Sequence, residues 1–437
     1  MGSARRPAPT VCAMAELDDY ALTPVPTSAR RTWFSVALQR FGQVSSFHQF
    51  LLGSALGFSM TFTDALIAIT IGSVILEVVT ILLGVIGVRE GLSVSRVAAR
   101  CGFGRRGSAL VGLLITISLV GWFGVQNGAF AEGLHNLLGG PPLWVWSLVG
   151  GAVVTAVVVY GFRAMAWIAY VMVPAFMVLA AISIAGGLST HSWSELLFAQ
   201  PAGPHMSLVE GTTLVAGAFF VGAVMTPDMT RFNRSPADVV KQTVLAVTLG
   251  EYGIGLVGVL MAHAAGTADV VSMISSSSGF LGTLVLVSAI VKINDWNLYS
   301  SSLGLVNTID VLFSRRVSRA WITVPLGVLG SVLSAVGILD KFTSFLTAMA
   351  VLTPPVAGIM IAEYFLVRPR RSAEQSEPEW VPAALVCWAL GSAAGWLLPF
   401  GIPPLNSLLV SFLGYLALTA VRTQKLEEPR VATDLPE

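Results

Sequence analysis

Two apolar segments of this 437-residue chain carry side chains able to hold a flat, polar ring. In the segment VGWFGVQNGAF, Trp122 and Gln126 are four residues apart and therefore share one face of a helix. An indole can stack on a heterocycle, and a carboxamide one turn away can read its hydrogen-bonding edge. The same spacing also fits an aromatic packing residue beside a hydrogen bond between helices.

The second segment, VKINDWNLYSSSLG, carries amides and charges on different sides of a predicted helix. Asn294 and Asn297 project to one side, and Lys292 and Asp295 lie one turn apart on another. A lone lysine near the middle of a membrane helix costs about 2.5–3.5 kcal/mol, which an aspartate one turn away would partly offset. The pair is either a structural ion pair or a functional cation site.

Three further carboxylates and one histidine fall in or beside apolar segments. Glu77 lies deep in its segment, where a proton-linked role is one interpretation and a structural role another. Glu132 and Glu251 are expected near helix ends, where their side chains can reach the membrane interface. His48 is expected to accept a proton, to bond a substrate, or to be an ordinary buried histidine.

The sequence contains no nucleotide-binding loop, no metal-ligand spacing and no nucleophile elbow, and its five histidines are scattered. We therefore expect no enzyme activity, no cofactor and no metal site. The net charge of +1 gives no field that would attract nucleic acid. The predicted tails are too short for the signalling domain of a sensor, and no segment resembles a channel filter. A small molecule and the lipid bilayer are the expected partners, with no obligatory protein partner.

The composition is that of a polytopic membrane protein, because 54% of the residues are hydrophobic and only 11% are charged, against about 25% in soluble domains. Twelve stretches approach the roughly 20 apolar residues that a spanning helix needs. The predicted spans are 34–58, 63–88, 108–134, 143–161, 164–187, 208–227, 241–265, 279–304, 320–339, 342–367, 380–398 and 402–421.

The distribution of basic residues predicts how the chain crosses the membrane. Of the 25 Lys and Arg residues, 23 fall in the N-terminal region, in every second loop or in the C-terminal region, and Arg40 is counted with the N-terminal group. Because cytoplasmic loops retain Lys and Arg, both termini are expected in the cytoplasm. The predicted location is the inner, cytoplasmic membrane, crossed many times.

Two of the predicted spans are interrupted. The first has polar residues at its middle, including Ser45 and His48, and the sixth contains Gly217, Gly222 and Pro227. Interrupted segments at matching positions of two halves indicate a transporter binding site. The first and sixth spans are five apart, as two inverted five-helix repeats would require.

Five segments, in order along the chain, resemble the nucleobase:cation symporter-1 family, and in particular its bacterial cytosine permease branch. They are PVPTSAR (24–30), GWFGVQ (121–126), TPDMTRFNRS (226–235), NDWNLYSSSLGL (294–305) and LTPPVAGIMIAEYFLVR (352–368). The resemblance implies an all-α, leucine-transporter-like fold of two inverted five-helix repeats plus two extra helices. The implied divisions are an N-terminal tail (1–33), a first repeat (34–187), a second repeat (208–367), two accessory helices (380–421) and a C-terminal tail (422–437).

The resemblance also implies a substrate site in which a ring is held between one aromatic side chain of the third helix and one of the sixth. Amides of the third and eighth helices then read the ring edges, and the unwound part of the first helix contributes residues from about Ser45 to Gln49. The matching positions are Trp122, Gln126, Phe219, Phe220, Asn294, Asn297, His48 and Gln49.

The chain departs from the cytosine branch at one position that bears on the substrate. That branch has a glutamine three residues before the tryptophan, where this chain has Leu119. Its amide is instead at Gln126, as in the hydantoin, allantoin and uracil transporters of the family. We expect a secondary transporter that imports a nucleobase, with a ureide or pyrimidine carrier of the sodium-coupled kind as the alternative.

A second departure concerns the coupling ion. Sodium-coupled members hold Na⁺ between carbonyls of the first helix and two adjacent hydroxyls of the eighth, and the matching positions here are Lys292 and Ile293. A hard cation needs oxygen ligands, which neither side chain offers. We expect Lys292 to replace the bound cation, with Ser45, His48 and Asp295 around it. Transport would then be independent of sodium and either proton-coupled or facilitative.

Overall fold

The computed structural model describes residues 23–44, 47–160, 189–315, 317–370 and 378–427, together with positions 178, 181, 182, 185 and 186. Within these ranges a few side chains, that of Lys292 among them, lie outside the description. The described residues form helices joined by short connections, with no strand among them.

We number the helices in chain order. They are α1 (Trp33–Val44), α2 (Phe47–Ser59), α3 (Phe62–Glu90), α4 (Val94–Ala98), α5 (Gly104–Leu138), α6 (Leu143–Tyr160), α7 (Trp193–Leu197), α8 (Leu208–Val224), α9 (Thr226–Thr230), α10 (Pro236–Gly250), α11 (Leu256–Ala265), α12 (Val270–Phe313), α13 (Arg319–Ala335), α14 (Phe342–Leu352), α15 (Pro354–Ala362), α16 (Pro382–Leu397) and α17 (Pro403–Glu427). Wider π-helical turns follow α10 and α15, at Glu251–Gly255 and Glu363–Val367, and a turn at Ala99–Phe103 after α4 is kinked by non-helical backbone at Cys101 and Gly102.

Local sequence signals fix several of the helix ends. The side chain of Thr61 caps α3 by accepting a hydrogen bond from the Asp64 amide, and Gly91 ends that helix with φ of +68°. Ser207 and Glu210 form a capping box at the start of α8. Ser235 caps α10 and is followed by a proline, which suits the first turn of a helix.

Length and apolar composition make five helical runs of the described chain able to cross a membrane, and four shorter apolar helices accompany them. The five runs are Phe62–Glu90, Val94–Leu138, Pro236–Ala265, Ile338–Val367 and Pro403–Ala420. Described helices overlap every predicted span except the fifth, 164–187, which falls mostly outside the described residues. The number of spans and their division into two repeats stay predictions.

The sixth predicted span is not interrupted where its glycines suggested. Helix α8 runs without a break through Gly217 and Gly222, and the chain turns at Met225, before Pro227 in the first turn of α9. A Cβ at Gly217 would lie 2.1 Å from the carbonyl oxygen of Leu346. This glycine therefore permits close helix packing, as small residues do in membrane proteins, and does not break the helix.

The first predicted span is described as two helices, because α1 ends at Val44 and α2 begins at Phe47, with 45–46 outside the described residues. Helix α1 packs along α10, and α2 packs along α11. The second contact is close: a Cβ at Gly53 would lie 2.1 Å from the carbonyl oxygen of Gly255, and one at Gly258 would lie 2.6 Å from that of Phe50.

Two charged residues lie deeper than the sequence suggested. Arg40 was grouped with cytoplasmic arginines, but its exposed fraction is 0% and it points into the helix bundle. Glu251 was expected near a helix end, but it is 1% exposed and lies halfway along the 30-residue run Pro236–Ala265. The expectation for Glu251 was wrong because its carboxylate is turned into the bundle, where Ser73 of α3 donates a hydrogen bond to it.

Candidate substrate site

Three aromatic rings from α2, α5 and α8 meet inside the bundle. The imidazole of His48 contacts Trp122 edge to face, with ring centroids 5.2 Å apart. It also lies nearly parallel to the ring of Phe219, at 6.1 Å and with an interplanar angle of 9°. All three side chains are less than 10% exposed. The two aromatic residues predicted to hold a substrate therefore share His48 as a common neighbour.

The space beside Phe219 is filled by this histidine. A ring placed between two others needs roughly 3.5 Å of separation on each side, or about 7 Å in all. The 6.1 Å between the centroids of His48 and Phe219 is too short for that. A substrate ring that stacks on this face of Phe219 must therefore displace the imidazole, which is itself a flat five-membered heterocycle.

Two phenylalanines of α14 restrict the orientation of Trp122. The rings of Phe342 and Phe345 meet the indole edge to face, at 5.9 and 5.5 Å. Phe345 also lies against Gly121, where a Cβ would come within 2.4 Å of the phenyl ring. Edge-to-face contacts of this kind restrict the rotation of an aromatic side chain. These contacts hold the indole in place beside His48.

A group of buried amides lies between α5 and α12. Asn297 donates from Nδ2 to Oε1 of Gln126 at 3.1 Å and to Oδ1 of Asn294 at 3.3 Å. Asn294 in turn donates to the backbone carbonyl of Phe123 at 3.1 Å. Each amide is less than 10% exposed. The bonds hold the three side chains in one hydrogen-bonded array one turn from Trp122.

The array leaves one donor and one acceptor unused among the described residues. They are the amide nitrogen of Gln126 and the carbonyl oxygen of Asn297. The bond from Asn294 to the Phe123 carbonyl fixes this orientation of the amides, because exchanging the nitrogen and oxygen of Asn297 would place two acceptors face to face. Polar groups inside a helix bundle that lack a protein partner can bind a ligand that supplies one. The matching ligand edge carries an acceptor and a donor side by side, as in an amidine or an amide.

The remaining predicted residues are placed differently. Phe220 is fully buried in the apolar core and makes no ring contact with His48 or Trp122 within the described chain. The amide nitrogen of Gln49 lies near Gly255, the residue just before α11. It is 3.2 Å from the position that a Cβ on Gly255 would take. For both residues a role in binding stays a prediction.

The predicted cation site falls largely outside the described part of the structure. Ser45 and the side chain of Lys292 are not described. Asp295 is fully buried, as a partner of a buried lysine would be. The pairing of Lys292 with Asp295 stays a prediction.

Arg40 lies beside the aromatic group, a neighbour that sequence reasoning missed. Its guanidinium carbon lies 5.4 Å from the centroid of the Phe219 ring. It donates to Thr226 at 2.9 Å and to Thr80 at 3.4 Å. The sequence did contain a signal for this. Arg40 lies inside a predicted span, ten residues after Arg30, whereas a cytoplasmic arginine is expected outside the spans.

Replacing Gln126 by Ala should weaken substrate binding by about 1–3 kcal/mol, because it removes the unused donor and leaves the Asn297 amide without its buried acceptor. Isothermal calorimetry on the purified protein measures the change. Gln242→Ala is the matched control, since Gln242 is also a fully buried glutamine but bonds only to Thr243. Unchanged affinity in the Gln126 variant would remove this residue from the site.

Comparison with known proteins identifies the family. The model of a family described as permeases for cytosine/purines, uracil, thiamine and allantoin matches residues 24–404. The chain belongs to the nucleobase:cation symporter-1 family. It is 30% identical to the cytosine permease of Escherichia coli (strain K12) over 423 residues, which cover 94% of this chain and 97% of that protein.

Solved structures of this family share the fold. The inward-facing conformation of Mhp1 matches with a TM-score of 0.78 at 21% identity, covering 92% of this chain and 93% of that one. A closed conformation of Mhp1 with bromovinylhydantoin bound matches with a TM-score of 0.71, also at 21% identity, covering 92% of this chain and 94% of that one. The chain is thus a helical membrane protein of a permease family with the Mhp1 fold.

Proposed function

We propose that this permease imports a nucleobase across the cytoplasmic membrane by alternating access between its two sides. The proposal rests on one observation above all, the hydrogen-bonded amides of Gln126 and Asn297 beside the aromatic group, which leave one donor and one acceptor for a ligand. The similarity to a cytosine permease over nearly the whole chain supports it. The topology that goes with it has twelve spans, two inverted repeats (34–187 and 208–367) and both termini in the cytoplasm.

The chemistry of a nucleobase suits these side chains. Cytosine and the aminopurines carry a ring nitrogen beside an exocyclic amino group, which is an acceptor next to a donor. The amide nitrogen of Gln126 would donate to the ring nitrogen, and the carbonyl of Asn297 would accept from the amino group. Stacking on Trp122 and Phe219 adds apolar contact that does not depend on the substituents.

A binding screen tests the proposal. The purified protein is heated with each member of a panel of nucleobases and ureides, and the shift of its unfolding temperature is measured. A ligand present at 100 times its Kd stabilises the folded state by about 2.7 kcal/mol. We expect the largest shift from cytosine or a purine base. No shift with any nucleobase would overturn the proposed substrate class.

A ureide carrier is the second candidate, and one observation favours it. Hydantoin, allantoin and uracil carry a carbonyl beside a ring N–H, which also presents an acceptor next to a donor. The same amide pair therefore suits them, and the Mhp1 structure with bromovinylhydantoin supports such a ligand. Competition against uptake of labelled cytosine separates the two, because a ureide transporter would be inhibited by hydantoin or allantoin at lower concentrations than by unlabelled cytosine.

We further propose that Lys292 replaces the cation that sodium-coupled transporters bind. The basis is chemical: Lys292 and Ile293 offer no oxygen ligand to Na⁺ where the family pattern has two hydroxyls. An ammonium group at this position supplies the positive charge, and because burial favours the neutral amine, Lys292 can itself take up and release the proton. The proton is then the coupling ion, or transport is facilitative.

Uptake of cytosine into proteoliposomes should therefore be the same with and without a sodium gradient. Lys292→Thr should lower uptake at least tenfold, because it removes the built-in charge, a loss of about 1.4 kcal/mol or more in transport efficiency. Lys341→Thr, at an exposed lysine, is the matched control and should transport normally. Strong dependence of the unaltered protein on sodium would refute the replacement.

A further inference from the structure

A second polar cluster lies next to the aromatic group, between α1, α3, α9 and the π-helical turn after α10. It contains one cation and two carboxylates: Arg40, Glu251 and Glu77. Ser73 donates a hydrogen bond to Oε2 of Glu251, and Thr248 donates to Oε1 of Glu77 at 3.0 Å. Ser73 and Glu77 are four residues apart on α3, so they share the face that meets α10 and its π-helical turn.

The burial of this cluster is unequal. Arg40 is 0% and Glu251 is 1% exposed, whereas Glu77 is half-buried. Arg40 is held by two neutral hydroxyls and the face of Phe219, and no carboxylate of the described chain lies within ion-pair distance of it. Thr80, to which Arg40 donates, and Ser73, which donates to Glu251, lie on the same face of α3 as Glu77, so this face brings the three charged groups together. A buried cation that contacts no counterion is stabilised by a negative charge close to it.

Charge balance determines how many protons such a cluster holds. Arg40 neutralises one carboxylate, and the second gives the cluster a net charge of −1 unless it is protonated. Uncompensated charge is strongly disfavoured inside a protein and in a membrane. One proton shared by Glu251 and Glu77 makes the cluster neutral. Glu77, the more exposed of the two, can receive it first.

The other charged and titratable groups near Glu251 do not provide this balance. On α2 the neighbouring group is His48, which contacts Trp122 and Phe219. On its own turn, Tyr252 donates to Thr70 of α3. On α11, His263 bonds to the backbone carbonyls of Leu196 and Met60, one turn from the end of that helix. Among the side chains that the structure describes, the neutralising cation within reach is therefore Arg40.

We propose that Glu251 and Glu77, with Arg40, form the proton-binding site that couples transport to a proton gradient. Arg40 connects this site to the substrate, because its guanidinium carbon lies 5.4 Å from the centroid of the Phe219 ring, on which the substrate is proposed to stack. Protonation of the cluster leaves more of the positive charge of Arg40 uncompensated beside the aromatic group. A substrate edge with a carbonyl or ring-nitrogen acceptor is then bound more tightly, so proton and substrate bind together. This inference rests on the proposed transport of a nucleobase.

Transport measurements test the coupling. In proteoliposomes containing the unaltered protein, an inward proton gradient should drive accumulation of cytosine, up to about tenfold per pH unit for one coupled proton. Glu251→Gln and Glu77→Gln keep the shape of the side chain but cannot release a proton. Both variants should still exchange labelled for unlabelled cytosine, and both should lose accumulation.

Glu363→Gln is the matched control. Glu363 is also buried, at 3% exposure, but it accepts a hydrogen bond from Tyr415 on α17, away from the cluster. This variant should accumulate cytosine as the unaltered protein does. Accumulation by Glu251→Gln at the unaltered level would overturn the proposal, and so would an equal loss in Glu363→Gln.

Infrared difference spectroscopy gives a readout that needs no substrate. The carbonyl stretching band of a protonated carboxylic acid should be present in the unaltered protein and absent or halved in Glu251→Gln. An unchanged band in both cluster variants would refute the site. If the unaltered protein exchanges no cytosine while this band behaves as expected, the assigned substrate is wrong and the proton site stands.

Discussion

Substitution of Trp122 by Ala is expected to abolish the stabilisation of the protein by its substrate. Stacking of a base on an aromatic side chain is worth about 1–3 kcal/mol, so its loss weakens binding up to about a hundredfold. The buried indole also makes edge-to-face contacts with Phe342 and Phe345, and the variant loses them. Thermal unfolding with and without substrate measures the effect.

Two further variants separate binding from folding. Trp122→Phe keeps an aromatic ring and should retain a reduced substrate-dependent shift. Trp321→Ala changes a tryptophan that is 78% exposed on α13 and should bind normally. If Trp122→Ala binds as tightly as the unaltered protein, the substrate does not stack on this indole and the proposed site is wrong.

Substitution of Gly53 by Ala should destabilise the fold more than any other single methyl group added to α2. The new Cβ would lie 2.1 Å from the carbonyl oxygen of Gly255, a backbone atom that no side-chain rotation can move. Overpacking in a well-packed interior costs about 1–3 kcal/mol, and separation of two helices costs more. The fraction of monodisperse protein in detergent and its unfolding temperature should both fall.

Gly253→Ala is the matched control for this prediction. Gly253 lies in the π-helical turn that also contains Gly255, but nothing lies within 4 Å of the position that its Cβ would take. This variant should unfold at the temperature of the unaltered protein. Equal stability of the two variants would mean that α2 and α11 are not in close backbone contact.

The helical architecture was predictable because it depends on hydrophobicity, which is a property of whole segments. Runs of about 20 apolar residues, such as those around Leu83 and Val351, indicate buried helices regardless of what they pack against. Trp122 and Gln126 could be predicted to share a face for the same reason, since four-residue spacing is a local property of one helix.

Features that depend on contacts between helices could not be predicted from the sequence. Gly217 looked like a helix breaker, but the nearby Leu346 backbone explains it as a packing residue. Arg40 was grouped with the cytoplasmic arginines. Its hydrogen-bonding partners, Thr80 and Thr226, could not be recognised because they are distant in sequence. The start of α10 was missed although Ser235 and the proline after it are a recognisable N-terminal signal.

The contact between α2 and α11 has a mechanical consequence. Because Gly53 and Gly258 place backbone against backbone, no layer of side chains separates the two helices, and we expect them to move together as one rigid pair. Helices α1 and α10 form the neighbouring pair, and the turn Glu251–Gly255 joins the two pairs. In the proposed alternating-access cycle, the turn that carries the buried carboxylate of Glu251 is therefore the expected pivot.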